Sequence, residues 1–392
     1  MKTTFAKFFC AALAAVVGTA GFASCGGKKN DSFYIGASGP LTGDAAAYGI
    51  AVKNGAEMAV KEINDAGGLN GKKFKFEMKD DAHNATKVSG NYTALYESGM
   101  QVSLACVTST PCIEFKNYAK EDNLFFLTPS ATNDDVTKDS DNAYQMCFTD
   151  SKQGELAAEY IAANVSKDTK IGIFYKSDDT YSKGIYDNFI AALGTDHGYT
   201  IATASFTDND QSYTTQIDNT LKDSTFIFMP IYYAEASKFM TQAKGKLAND
   251  AVYFGCDGFD GIDAISGFDI STIPQEISYL SHFNATSENE KVQHFVTEYA
   301  KQYEKRYMTQ FAAAAYDCVY AIYDAMKSYE AGGTEIALDI SPSALCDILK
   351  GVFQSDSFKF SGVTGTEITW HEDGTVNKAP DKYIVKEADS AA

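Results

Sequence analysis

The sequence predicts an α/β protein in which mostly parallel sheets are covered by helices. Short apolar runs alternate with amphipathic segments along nearly the whole chain, which is typical of parallel sheets flanked by helices on both faces. The length of 392 residues suits two domains or one large bilobed unit. A third observation is the opening unit at 33–71, which encodes a strand, a tight loop and a helix in immediate succession.

The opening unit can be followed residue by residue. The apolar run 33–37 predicts a buried strand, and the glycines and proline of 38–43 predict a turn. Thr42 or Asp44 is expected to cap the helix that follows. Apolar residues at helical spacing predict the buried face of that helix, which Gly67 and Gly68 end. Alternating apolar residues then predict a second strand that ends at Asp80 and Asp81.

The same alternation continues along the chain. Further strands are predicted over 102–107, 124–127, 170–175, 200–206, 225–229 and 252–255, with short strands near 367–370 and 383–385 in the tail. Helices are predicted over 111–121, 153–164, 181–193, 212–221, 234–247, 288–306 and 311–329.

Composition and motifs argue against several classes of protein. The formal net charge of −19 argues against nucleic-acid binding, which requires a basic surface. The five histidines are scattered, and there is no HExxH, no GxSxG, no P-loop and no GxGxxG after a strand. We therefore expect no enzyme, no metal site and no cofactor.

The first 24 residues predict a signal peptide, with Lys2 and Lys7 ahead of an apolar core at 8–17 that is too short to span a bilayer. The sequence Gly-Phe-Ala-Ser-Cys that ends at Cys25 resembles a bacterial lipoprotein box, although Phe22 replaces the usual leucine. We expect Cys25 to carry a lipid, 25–32 to form the anchor and tether, and the protein to be extracytoplasmic on a membrane surface. An ordinary secretory signal with an incidental cysteine is the alternative.

Apart from Cys10 and Cys25, the chain has six cysteines. They are irregularly spaced and contain no CxxC pair, which argues against structural zinc. Most lie in apolar runs and are expected to be small buried hydrophobic residues. A disulfide between Cys106 and Cys112 is the less favoured alternative.

The opening unit also carries a family resemblance. The pattern GPLTG, AAAYG and IN..GG..G, followed by a strand ending in Asp-Asp, resembles the leucine/isoleucine/valine-binding protein family. These proteins are the extracytoplasmic solute-binding components of ABC importers. The resemblance implies a two-lobed type I periplasmic-binding fold, with three crossings near 150, 281 and 362. Its implied boundaries are 33–149 plus 282–361 for lobe 1, 150–281 plus 362–386 for lobe 2, and 387–392 for the tail.

Two hydroxyl-rich loops follow predicted strands. Ser109 comes after the strand ending at 107, and Ser130 and Thr132 come after the strand ending at 127. Hydroxyls and free backbone N–H groups suit a ligand carboxylate, but Ser and Thr can also simply cap the next helices. The resemblance implies that these three residues hold the α-carboxylate and part of the α-ammonium of an amino acid, with Ser130 acting through its backbone.

Asp257 follows another predicted strand, where a carboxylate is the natural partner of a ligand ammonium. A turn-forming Asp before Gly258 is the alternative. The resemblance also places four aromatic residues at the cleft: Tyr48, Tyr181, Tyr232 and Phe311. Asp150, at the first crossing, either touches the ligand or only anchors the hinge.

No arginine lies in any of these loops, which favours a neutral amino acid over an acidic one. Branched and linear side chains are not distinguished. The expected partners are an amino acid, an ABC permease with its ATPase, and a membrane through the lipid anchor, and we expect a monomer. An amide, urea or aromatic-acid binder of the same fold and a ligand sensor are the alternatives.

Overall fold

The computed structural model describes residues 30–378 and 380–386. The predicted signal peptide, Cys25 and the tail 387–392 lie outside the described residues. Within the described part of the chain, two separate sheets form two lobes, and no helix there is long and apolar enough to cross a membrane.

The first lobe contains a sheet of five parallel strands in the order β2-β1-β3-β4-β5. Its strands are β1 Ser32–Gly39, β2 Lys73–Asp80, β3 Val102–Cys106, β4 Phe126–Thr128 and β5 Ala143–Gln145. The second lobe contains six strands in the order β11-β10-β9-β8-β6-β7, of which only β11 is antiparallel. Its strands are β6 Lys170–Lys176, β7 Thr200–Phe206, β8 Phe226–Met229, β9 Val252–Gly255, β10 Glu276–Ser281 and β11 Asp381–Lys386.

Helices cover both sheets, as expected for parallel strands whose two faces must both be buried. They are α1 Ala46–Asp65, α2 Val88–Glu97, α3 Ser109–Glu121, α4 Asp150–Asn164, α5 Thr180–Leu193, α6 Thr214–Gln216, α7 Tyr233–Ala243, α8 Glu290–Gln302, α9 Gln310–Glu330 and α10 Pro342–Phe353. Helix α1 packs along α9 in the first lobe, and α4 packs along α5 in the second.

The loop between β1 and α1 is held by the end of β2. Asp80 accepts hydrogen bonds from the Leu41 N–H at 2.9 Å and from the Thr42 hydroxyl at 2.6 Å. Helix α1 begins after Ala45 without any side-chain cap. The expected cap by Thr42 or Asp44 is therefore wrong, because the Thr42 hydroxyl is bonded to Asp80 and Asp44 is exposed.

Several elements escape the sequence pattern. Strand β5 has only three residues, and β10 places Ser278 at a fully buried position, so neither shows a recognisable apolar run. Helices α2 and α10 were also not predicted. The helix expected over 212–221 is instead the short α6 followed by a π-helical turn, Ile217–Leu221.

The chain passes from the first lobe to the second between β5 and α4, returns between β10 and α8, and passes again just before β11. The expected third crossing near Gly362 is wrong. The Trp370 ring N–H donates to the Gln145 carbonyl at 2.8 Å, and the Gln145 N–H donates to the Gly374 carbonyl at 3.0 Å. Residues 362–378 therefore stay on the first lobe.

All six cysteines of the described chain are free and buried. Burial raises the pKa of Cys106 and Cys112, so both remain neutral thiols. These cysteines were expected to be small buried hydrophobic residues, and their burial agrees with that. The alternative disulfide between Cys106 and Cys112 is absent.

Asp317 on α9 anchors the segment that follows Gly362. Its buried carboxylate accepts hydrogen bonds from the Val363 N–H at 2.8 Å, the Thr364 N–H at 2.8 Å and the Thr364 hydroxyl at 2.6 Å. A Cβ at Gly362 would lie 2.1 Å from the nearer Asp317 carboxylate oxygen, so only glycine allows this approach.

Asp317→Ala should lower the free energy of unfolding by about 3 kcal/mol, because three buried donors lose their acceptor. Urea denaturation followed by circular dichroism measures this. Asp324→Ala is the control two turns further along α9, where the side chain is partly exposed, and it should change stability by less than about 0.5 kcal/mol. Equal effects of the two substitutions would contradict the anchoring role.

Candidate functional site

A narrow cavity of about 250 Å³, part of which is open to solvent, lies between the two lobes. Most of its wall comes from residues at the carboxyl ends of parallel strands and the first turns of helices, which is the usual ligand edge of such sheets. The lining residues are Tyr48, Val107, Thr108, Ser109, Ser130, Tyr181, Tyr232, Asp257, Gly258 and Phe311. Seven of the nine predicted ligand residues are among them, and Thr132 and Asp150 are not.

A larger depression of about 720 Å³ opens between α8 and α9. Its two tyrosine hydroxyls, from Tyr316 and Tyr320, both donate to Glu62, at 2.6 and 3.0 Å. His294 bonds the other oxygen of Glu62 at 3.0 Å. These polar groups already have partners, so the interlobe cavity is the better candidate in spite of its smaller volume.

The first lobe contributes the start of α3 and the loop after β4. Thr108 precedes α3 but makes no side-chain cap, because its hydroxyl is bonded to His83 Nδ1 at 2.8 Å. Plain capping therefore does not explain this hydroxyl loop. The Ser109 hydroxyl accepts from the Asn133 N–H at 3.3 Å, and the Ser130 hydroxyl donates to the Val107 carbonyl at 2.8 Å. Pro111 has no N–H, and the Cys112 N–H donates to the Thr108 carbonyl at 3.1 Å, so the amides that α3 leaves without a side-chain cap beside the cavity are those of Ser109 and Thr110.

Asp257 supplies the only carboxylate among the lining residues and is 3% exposed. The Tyr181 hydroxyl donates to it at 2.7 Å, and the Asp257 N–H donates to the Gln153 side-chain oxygen at 3.0 Å. Burial raises the pKa of Asp257 to about 7. No lysine or arginine occurs among the described lining residues, so this carboxylate has no cationic protein partner.

The expected turn at Asp257 also exists. The segment Asp257–Phe259 is a 3₁₀ turn, and the Asp260 N–H donates to the Asp257 carbonyl at 2.9 Å. The two interpretations are compatible, because the backbone makes the turn while the side chain lines the cavity. Gly258 is required next to it, since a Cβ there would lie 2.7 Å from the Tyr181 hydroxyl oxygen.

Aromatic rings form the remaining wall. Tyr181 and Tyr232 stack with ring centroids 4.7 Å apart, and Tyr48 contacts Phe311 edge to face at 4.9 Å. Burial raises the pKa of all three tyrosines well above the usual range, so their hydroxyls stay protonated. The Tyr48 hydroxyl donates to the Gly258 carbonyl at 2.5 Å and so joins the lobes.

Thr132 and Asp150 are buried and are not among the residues that line the cavity. Asp150 begins α4, is fully buried, and accepts from the Asn133 side-chain amide at 2.9 Å. Its N–H donates to the Thr132 carbonyl at 2.8 Å. The other Asp150 carboxylate oxygen and the Thr132 hydroxyl are buried and have no hydrogen-bond partner in the structure. Contact with the ligand and anchoring of the hinge both stay predictions for Asp150.

The sequence patterns did not single out Gln153, Val107 or Gly258. Gln153 lies three residues after Asp150 on α4, so the two side chains share one face of the helix. Because Asp150 is at the first crossing, this shared face is the sequence signal that would have pointed to Gln153. Within the described chain, no group of three or more His, Cys, Asp or Glu side chains has the geometry to hold a metal ion.

Comparison with known proteins identifies the family. The model of a family described as periplasmic binding protein matches residues 32–379. The chain belongs to the periplasmic binding protein family. Family membership implies a solute-binding protein in an extracytoplasmic location. It also confirms the resemblance inferred from the opening unit.

Named relatives of this periplasmic binding protein agree with that assignment. The Leu/Ile/Val-binding protein BraC3 of Rhizobium johnstonii is 32% identical over 244 residues, which are 59% of this chain and 65% of that protein. A leucine-, isoleucine-, valine-, threonine- and alanine-binding protein of Pseudomonas aeruginosa is 28% identical over 263 residues, 65% of this chain and 68% of that one. The chain spans between 46% and 65% of the length of three Leu/Ile/Val-binding relatives.

A solved structure gives wider coverage. The branched-chain amino acid transporter substrate-binding protein LivJ of Streptococcus pneumoniae, in complex with isoleucine, superposes with a TM-score of 0.75 at 28% identity. The match covers 91% of this chain and 96% of that one. The predicted two-lobed type I periplasmic-binding fold is confirmed.

Tyr181→Phe should raise the pKa of Asp257 above about 7, because the carboxylate loses the hydroxyl that stabilises its ionised form. The pH titration of the Asp257 carboxyl carbon by NMR measures this in the unliganded protein. Tyr175→Phe, which changes a tyrosine outside the cavity, is the control and should leave the titration in place. An unchanged or lower pKa in the Tyr181 variant would show that the bond does not stabilise the carboxylate.

Proposed function

We propose that this protein is the solute-binding component of an ABC importer and that it binds a neutral amino acid between its lobes. The observation that carries the proposal is that one interlobe cavity combines a buried carboxylate with uncapped helix amides and serine hydroxyls. These groups match the two charged ends of an amino-acid zwitterion.

Asp257 is the proposed partner of the ligand ammonium. A buried carboxylate without a cation is costly, and burial has already raised its pKa to about 7. A ligand ammonium placed against it would lower that pKa and supply the missing positive charge. The Tyr181 hydroxyl and the Gln153 side chain hold the carboxylate and its backbone in position.

The start of α3 is the proposed partner of the ligand carboxylate. The first amides of a helix have no intrahelical acceptors, and the helix dipole favours negative charge there. Ser109 and Thr108 add hydroxyls beside these amides, and Ser130 contributes from the loop after β4. Thr132 does not line the cavity and is not proposed as a direct contact.

The ligand side chain is proposed to face the apolar wall formed by Tyr48, Tyr232, Phe311 and Val107. No charge is left there to pair with a charged side chain, which favours a neutral one. The aromatic rings and Val107 favour an aliphatic side chain, branched or linear. The isoleucine bound to LivJ and the ligands in the name of the Pseudomonas relative support this class.

We further propose an extracytoplasmic lipoprotein that acts as a monomer without enzymatic activity and delivers its ligand to an ABC permease driven by its ATPase. Cys25, which lies outside the described residues, would carry the lipid, and the residues after it would form the tether. The lipobox-like sequence and the extracytoplasmic family support the anchor.

Calorimetric titration with L-alanine, L-threonine, L-valine, L-isoleucine and L-leucine should give binding, while L-glutamate and L-arginine should not bind. Asp257→Ala should raise the Kd about a hundredfold, since removing one partner of a buried charge pair costs about 2–5 kcal/mol and each 1.4 kcal/mol is tenfold. Asp263→Ala, an exposed acid six residues further on, is the control and should leave the Kd unchanged.

Absence of binding by every amino acid would refute the proposed ligand class. Binding of acetamide, urea or benzoate that is insensitive to Asp257→Ala would instead indicate another cargo in the same fold.

Cys25→Ala should move the protein from the membrane fraction to the soluble fraction of a bacterial host and remove radiolabelled palmitate from it. Cys10→Ala is the matched control, because Cys10 lies inside the predicted signal peptide and would be removed with it. Palmitate label that remains on the Cys25→Ala variant would refute a lipid at Cys25.

A further inference from the structure

Besides α3, three helices begin at the contact between the lobes without a cap of their own. The residues that precede α1, α7 and α9 are Ala45, Tyr232 and Thr309, and none of them makes a side-chain capping bond. Helices α4, α5, α8 and α10 differ, because each is capped by its own preceding residue: Thr149, Asp179, Asn289 and Ser341. The first amides of a helix need an acceptor from outside it.

Helices α1 and α7 receive that acceptor from each other across the cleft. The Ala47 N–H at the start of α1 donates to the Tyr233 hydroxyl of the second lobe at 3.0 Å. The Tyr233 N–H at the start of α7 donates to the Tyr48 hydroxyl of the first lobe at 3.2 Å. Tyr48 and Tyr233 also contact each other edge to face at 4.7 Å, so the two helix starts form one reciprocal contact.

Helix α9 receives its cap from Asp260 of the second lobe. One Asp260 carboxylate oxygen accepts from the Gln310 N–H at 2.8 Å, while the buried Thr309 hydroxyl has no partner. Asp260 is 8% exposed, and burial raises its pKa to about 6, so it is still ionised at neutral pH. A charged acceptor at a helix N-terminus also interacts favourably with the helix dipole.

Asp260 and Asp257 belong to the same turn, yet they face different partners. Asp257 lines the cavity, and Asp260 reaches the residue directly before Phe311, which lines the cavity from the other lobe. Any movement that brings Asp257 to the ligand therefore also brings Asp260 to α9.

We infer that closure of the lobes is stabilised by helix caps that each lobe supplies to the other, and that Asp260 is a positioning residue that holds the start of α9 and, through it, Phe311. This inference goes beyond the proposed function, because it concerns how the lobes close and does not depend on which ligand is bound. When the lobes separate, these three amides lose their protein acceptors and face water.

A cross-linking reporter tests the inference without any ligand. The Thr110 hydroxyl donates to the Thr180 hydroxyl across the cleft at 3.0 Å, so Thr110→Cys with Thr180→Cys forms a disulfide only when the lobes are closed. The six native thiols of the described residues are buried and do not compete. The rate of disulfide formation at neutral pH, in the whole mature protein, reports the closing equilibrium.

In this reporter, Asp260→Ala should lower the closing equilibrium about fivefold, the effect of losing a typical helix cap of about 1 kcal/mol. Asp260→Asn keeps an acceptor oxygen, so it should cross-link at nearly the same rate as the protein that carries only Thr110→Cys and Thr180→Cys. Tyr233→Phe, which removes the α1 cap and keeps the ring, should slow cross-linking as Asp260→Ala does, and it serves if Asp260→Ala does not fold.

Asn289→Ala is the matched control, since it removes a cap that acts within one lobe. It should lower the melting temperature and leave the cross-linking rate unchanged. If Asp260→Ala and Tyr233→Phe both cross-link at the rate of the reporter, the inference is wrong. The cross-linking assay contains no ligand, so its result can be interpreted even if no amino acid binds to the protein.

Discussion

Parallel strand pairing sets the position of every loop and helix start that forms the cavity. In each parallel unit the strand ends and the next helix begins at the same edge of the sheet, so loops and helix N-termini collect there. The two lobes turn these edges toward each other. The cavity is therefore lined by the start of α3, the loop after β4 and the turn after β9, which are remote from one another in the chain.

The electrostatics of the cavity follow from that arrangement. Uncapped helix amides on one side favour negative charge, and Asp257 on the other side favours positive charge. Because no lysine or arginine lies among the described residues of the wall, the protein does not neutralise either side itself. A zwitterion with a neutral side chain complements both sides, which is why the chemistry of the wall, rather than its volume, carries the functional proposal.

Much of this could be predicted from sequence, since its signals are local. The apolar run of β1, the hydroxyl loop at Ser109 and the Asp257-Gly258 turn can each be recognised within a few residues. Tyr48 and Tyr232 were harder, because tyrosine also packs in cores and on surfaces, and only the family resemblance placed them at the cleft. Strand β10 was missed because its buried Ser278 interrupts the apolar pattern, while neighbouring strands on both sides supply its pairing.

Local sequence patterns were sufficient for the α/β class, the family and most of the polar groups that meet between the lobes. Long-range contacts place Ser109 but not Thr132 at the cavity, keep residues 362–378 on the first lobe, and make Asp260 the cap of a helix of the opposite lobe. The physical reason is the same in each case. Local patterns report how a segment folds, whereas these outcomes depend on contacts between residues far apart in the chain, such as Gln145 with Trp370 and Asp260 with Gln310.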